Sequence, residues 1–137
     1  MGLLRVVLDT NIIYAGLRSR RGASFQLLTL AAKGTFQPAL SVPLVLEYEH
    51  ATSRLMLETP LSATDISTAL DFLVSVSHLQ DVYFAWRPTL PDPDDDFILE
   101  LAVAAQCPYI VTFNLRDFRG SEQFGVTPTP RTDSSPC

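Results

Sequence analysis

Four separated stretches of this chain place carboxylates where a parallel sheet would gather them at one edge. The first is the apolar run Leu3 to Leu8, which ends abruptly in Asp9-Thr10-Asn11. The second is Glu47, inside the helix expected after Ser41-Val42-Pro43. The third is Asp92-Pro93-Asp94-Asp95-Asp96, opening another helix. The fourth is Tyr109-Ile110-Val111-Thr112-Phe113-Asn114-Leu115-Arg116-Asp117, an apolar strand running into a polar loop. Clustered carboxylates repel one another unless a cation sits among them, so the natural tenant is a divalent metal with oxygen ligands. The chemistry implied is metal-assisted attack on phosphate esters.

The elements that must position these groups read β-α-α-α-α-β-α-β, with Leu40 closing a further strand and a last strand near Phe124 to Thr127. Leu3 to Leu8 is broken only by Arg5, as in a strand buried on both faces. Helices are expected over Asn11–Leu17, Ser24–Ala32, from Ser41 onward, Thr64–Val76 and Asp96–Gln106, with strands at Val82–Trp86 and Tyr109–Thr112. Ser41 suits an N-cap with Pro43 in the first turn, and Ser62 with Asp65 reads as a capping box. Leu40, Leu44, Tyr48, Ala51 and Leu55 recur at helical spacing as a buried stripe that Glu47 borders. Strands alternating with helices predict a three-layer α/β/α sandwich around a parallel sheet of four to five strands. Ligands of such sheets bind beyond the carboxyl ends of the strands, where Asp9 and Asn114 fall.

Each acid also has an ordinary explanation. Asp9 alone could cap a helix. Asp92 reads as an N-cap, with Pro93 first in the helix and Asp94 and Asp95 at the positive end of its dipole. Orientation argues for more than capping. Asp95 stands seven residues before Ala102 and projects over the buried side of its helix, whereas Asp96 aligns with Glu100 and is expected to face solvent.

At 137 residues, 47% apolar and 18% charged, the chain fits one globular domain over 1–127, with a disordered Pro/Ser/Thr-rich tail at 128–137. There is no membrane-length apolar run and no signal-peptide pattern, and Cys107 and Cys137 form no disulfide framework. A reduced, cytoplasmic setting is expected. The net charge of −5 speaks against a nucleic-acid partner at first sight, but four of the fifteen acids lie between Asp92 and Asp96, where bound metal would neutralise several. Arg18, Arg20, Arg21 and Arg116 are candidate phosphate-binding residues.

The ordered set Asp9-Thr10-Asn11, Glu47, Asp95 and Thr112-x-Asn114-x-x-Asp117 resembles the PIN-domain ribonucleases, over about residues 3 to 127. The segments from Trp86 to Asp96 and from Val111 to Phe118 look especially like the branch of toxins from toxin–antitoxin pairs. The resemblance implies a Mg²⁺- or Mn²⁺-dependent endoribonuclease. Asp9, Glu47, Asp95 and Asp117 would be the ligands, and Thr112, Asn114 and Thr10 would orient carboxylates or water. Asn11, Asp92 and Asp94 are secondary candidates. Where many PIN domains carry an Asp this chain has Asn114, and Asp117 is placed to supply the missing charge. Implied partners are RNA and a small antitoxin protein, with a second copy of the chain left open and no membrane.

Two other readings compete. An aspartyl-phosphate phosphotransferase also uses a strand-end Asp, but its phosphatase form wants an Asp where Asn11 stands. Its receiver form wants a late Lys, and the only Lys is Lys33. The non-enzymatic alternative is a degenerate PIN domain that binds RNA or protein without catalysis.

Overall fold

Val6, Val7 and Leu8 have no exposed surface, as a strand covered on both faces requires, and they form most of β1 (Arg5–Leu8). The computed structural model describes residues 4–82 and 95–130. The chain runs on through α1 (Thr10–Arg18), α2 (Ala23–Ala32), β2 (Gln37–Leu40), α3 (Val42–Thr52) and α4 (Leu55–Glu58). There follow α5 (Ala63–Val76), β3 (His78–Leu79), α6 (Asp96–Ala104), β4 (Tyr109–Val111) and β5 (Thr127–Thr129). Two 3-10 turns, Leu115–Phe118 and Ser121–Phe124, connect β4 to β5.

All pairings are parallel and the strand order is β3-β2-β1-β4-β5. The fold is a three-layer α/β/α sandwich, with five strands among the described residues. The order reverses direction between β1 and β4, so the crevice of such a sheet opens beyond Leu8 and Val111. The β1–β4 register pairs Val6 with Tyr109, Val7 with Ile110 and Leu8 with Val111. The ladder continues one step further, where Asp9 N–H donates to the Val111 carbonyl at 2.8 Å.

Side-chain caps mark the starts of three helices, α1, α3 and α5. Ser41 Oγ accepts from Leu44 N–H, with Pro43 in the first turn. Ser62 and Asp65 exchange both bonds of a capping box. Gly16 lets α1 and α2 approach closely, since a Cβ there would meet Leu28 Cδ1 at 2.6 Å.

Several expectations are corrected. The stripe on α3 runs Leu44, Tyr48 and Thr52 before Leu55, while Ala51 is only half-buried, because a four-residue step from Tyr48 lands on Thr52. A strand appears at His78–Leu79, too short to show any alternation, and Val82 lies outside it. The last strand begins at Thr127 rather than ending there. Phe124 closes a 3-10 turn, and residues 128 and 129, expected in the tail, pair with Ile110 and Val111. The remainder of the strand expected over Val82–Trp86, the turn before Pro93, Asp92, Asp94 and the tail from 131 lie outside the described residues.

Candidate active site

Asp9 follows β1 and is the N-cap of α1, so one residue ends the central strand and begins the helix that leaves it. Its Oδ1 accepts from Thr10 N–H at 2.7 Å and its Oδ2 accepts from the Thr112 hydroxyl at 2.7 Å. Thr112 is fully buried just past β4, and its Oγ1 in turn accepts from Asn114 N–H at 3.0 Å. One hydroxyl therefore ties the carboxylate after β1 to the loop after β4. Thr10 Oγ1 donates to Glu47 Oε1, which links α1 to α3. Behind them the buried Tyr48 hydroxyl donates to the Leu8 carbonyl. Asp117 sits in the 3-10 turn held by the buried Phe118, and its N–H donates to the Asn114 carbonyl at 3.0 Å.

Asp9, Thr10, Asn11, Asp95, Asn114 and Asp117 line one cleft of about 280 Å³, together with Tyr14, Ala51 and Arg54. Six of the residues singled out in the sequence thus meet, and Glu47 joins them through Thr10. Asp95 holds the N-cap position of α6 without a side-chain capping bond. Arg18, Arg20, Arg21 and Arg116 are exposed and none lines the cleft.

Asp96 is corrected from solvent-facing to buried, at 7% exposure. No residue of α6 is fully exposed, so the helix has no open face for it to occupy. Asp96 therefore stands beside Asp95 as a carboxylate at the opening of α6. The sequence reading also passed over Tyr14 and Arg54. Their separation of 40 positions hid them, and only the packing of α1 against the segment after α3 makes them neighbours.

Burial pushes the Asp9 carboxyl above the ordinary carboxylate range. The Thr112 and Thr10 hydrogen bonds oppose that shift, and the charges of Glu47 and Asp117 add to it. The Tyr48 phenol is raised well above its usual value, first by burial and then by Asp9 and Glu47. Two buried groups thus feel the same concentration of negative charge. A cation would relieve it.

The donor set is hard oxygen, which suits Mg²⁺ or Mn²⁺ rather than a soft-ligand metal. Among the described residues no three carboxylate, imidazole or thiolate groups lie close enough to hold one ion together. That arrangement fits an ion that keeps much of its water and takes one or two carboxylates plus substrate phosphate, as Mg²⁺ does. Asn11 Oδ1 is a buried acceptor without a hydrogen-bond partner beside this cleft. It is a further oxygen able to take a water or ion. Cys107, by contrast, is buried, its thiol pushed up to about 12, so it remains protonated and offers no nucleophile.

A family model described as PIN domain matches residues 5–116, which takes in β1, β4 and every residue lining the cleft except Asp117, one position beyond its end. The chain belongs to the PIN-domain family, whose members are generally nucleases that bind divalent metals. No curated protein and no solved structure matches the chain significantly.

Proposed function

We propose that this PIN domain is a divalent-metal-dependent endoribonuclease, acting with Mg²⁺ or Mn²⁺ as the toxin of a type II toxin–antitoxin pair. The observation that carries the reading is the convergence of Asp9, Asp95 and Asp117 on one cleft at the β1/β4 crevice, with Glu47 tied to it through Thr10. Asp9, Glu47, Asp95 and Asp117 would hold the ion, some through water. When bound, the ion supplies a water of lowered pKa and positive charge next to the phosphate.

The remaining work belongs to the chain. Thr112 and the Thr10 amide fix both oxygens of Asp9. Thr10 fixes Glu47, and Thr112 also holds the loop that carries Asn114. These bonds hold the carboxylates in set orientations, so little reorganisation is needed at the moment of reaction. Asn114 is exposed and orients water or substrate through its amide.

The toxin assignment rests on the resemblance of the site segments and on an apolar groove away from the cleft. That groove, of about 250 Å³, is lined by Leu17, Phe25, Leu28, Phe72 and Leu73 among others. An amphipathic antitoxin helix would find anchors there at helical spacing.

The uncharged Asn114 favours a second reading, a degenerate PIN domain that binds RNA without cutting it. The decisive experiment incubates purified protein with pooled structured and unstructured RNAs in Mg²⁺, Mn²⁺ or EDTA. Cleavage abolished by EDTA and by Asp9→Asn supports the nuclease; RNA retention without cleavage selects the binding module. Expression alone should slow growth and Asp9→Asn should relieve it. Harmless expression of an active enzyme would remove the toxin assignment.

A further inference from the structure

The cleft is acidic on three sides, and a polyanion entering it meets Asp9, Asp95 and Asp117. Arg54 is the one cation among the described residues that line it. Arg54 is exposed, yet it is held in place. Its guanidinium carbon sits 4.9 Å from the centroid of the Tyr14 ring, and its Nε donates to the Ala51 carbonyl at 3.4 Å. Tyr14 is fixed in turn, because its hydroxyl donates to Glu58 on α4. That bond is the main reason the phenol is raised from its ordinary value. Three elements therefore converge on one guanidinium: α1 supplies the ring, α3 the carbonyl and α4 the anchor for the ring.

A guanidinium laid on an aromatic face loses less rotamer freedom on binding than a free one, and its remaining N–H groups match two oxygens of a phosphate. Resting on the nuclease reading above, we propose that Arg54, preorganised by Tyr14 and Glu58, is the residue that grips the RNA backbone at this cleft. Arg54 contacts substrate, whereas Tyr14 and Glu58 are positioning residues that act through it. The grip also explains how a chain of net charge −5 admits a polyanion: one fixed positive charge stands at the rim of the acidic cleft.

The test uses the whole chain with a fluorogenic single-stranded oligoribonucleotide in Mg²⁺, and anisotropy of the same RNA in Ca²⁺. Arg54→Ala should raise KM and Kd roughly tenfold, the loss of one charge-assisted contact, with kcat nearly unchanged. The slope of log Kd against log salt should become shallower by about 0.7, the release expected for one phosphate of a single strand. Arg54→Lys should keep the salt slope while losing part of the affinity, because the charge remains and the planar fork does not. Tyr14→Leu should weaken binding in the same direction while Arg54 is still present, and Tyr14→Phe should do so less. Thermal melts guard against misfolding, and Arg54 is exposed enough for replacement to leave the fold intact. Unchanged KM and salt slope in Arg54→Ala, with an active wild type, would overturn this inference and leave the nuclease standing. So would a fall in kcat at constant KM. A wild type that neither binds nor cleaves RNA would overturn both.

Discussion

The Thr112 hydroxyl donates to Asp9 Oδ2 at 2.7 Å, joining residues 103 positions apart at the ends of the two central strands. Both groups are buried, Thr112 completely, so the bond is largely shielded from water. Thr112→Val keeps the shape and removes the hydroxyl. It leaves Asp9 Oδ2 without its donor and the Asn114 N–H without its acceptor. A loss of about 1–3 kcal/mol is expected from chemical denaturation, together with reduced metal affinity. Unaltered stability and metal binding would mean that the bond positions nothing.

Asp9 itself should be a liability to the metal-free fold. Its folded pKa is raised chiefly by burial, so the native state holds its proton to higher pH than the unfolded state. Its contribution is fully present below the unfolded value of about 3.8–3.9 and is lost as pH rises through the higher folded value. In EDTA, Asp9→Asn should therefore be at least as stable as wild type at neutral pH, with the difference shrinking as acid approaches the unfolded pKa. The same substitution, and Asp95→Asn, should abolish divalent-dependent cleavage. Melting curves from pH 4 to 8 beside activity assays check both halves; wild-type activity in both variants would take these acids out of the mechanism.

Mg²⁺ or Mn²⁺ at millimolar concentration should raise the melting temperature of the wild type, since an ion bound only by the native state stabilises it by mass action. Ca²⁺ should also stabilise but support little turnover, because its larger, looser coordination does not hold the compact geometry that Mg²⁺ imposes. Asp9→Asn should blunt all three shifts. Equal shifts in wild type and variant would place the ions elsewhere on the chain.

Tyr48 supports the site from beneath. Tyr48→Phe keeps the buried ring and removes only the hydroxyl that donates to the Leu8 carbonyl, one residue before Asp9. A cost of about 1–3 kcal/mol is expected for a buried acceptor left unpaired. Cleavage should fall as well if the end of β1 relaxes. Stability within error of wild type would show that another donor replaces it.

Much of this architecture was legible in the sequence because it is local. The apolar run into Asp9, broken only by Arg5, announced a central strand ending in a carboxylate. Ser41 and the Ser62–Asp65 pair announced helix starts, since a cap involves residues only three apart. The order of acids along the chain carried the family and most of the cleft. What stayed hidden depends on partners remote in sequence. β3 has only two residues and β5 three, and such strands exist because a neighbour offers them a ladder, not because their own pattern demands it. Asp96 looked solvent-facing by helical spacing alone, but no residue of α6 is fully exposed and Asp96 itself is buried. Arg54 and Tyr14 had no motif to mark them. The sequence by itself determined the types of element and the carboxylates at their ends. The pairing of β1 with β4 was decided only by tertiary structure, because strand neighbours are chosen by hydrogen-bond ladders and buried faces that close across some hundred residues.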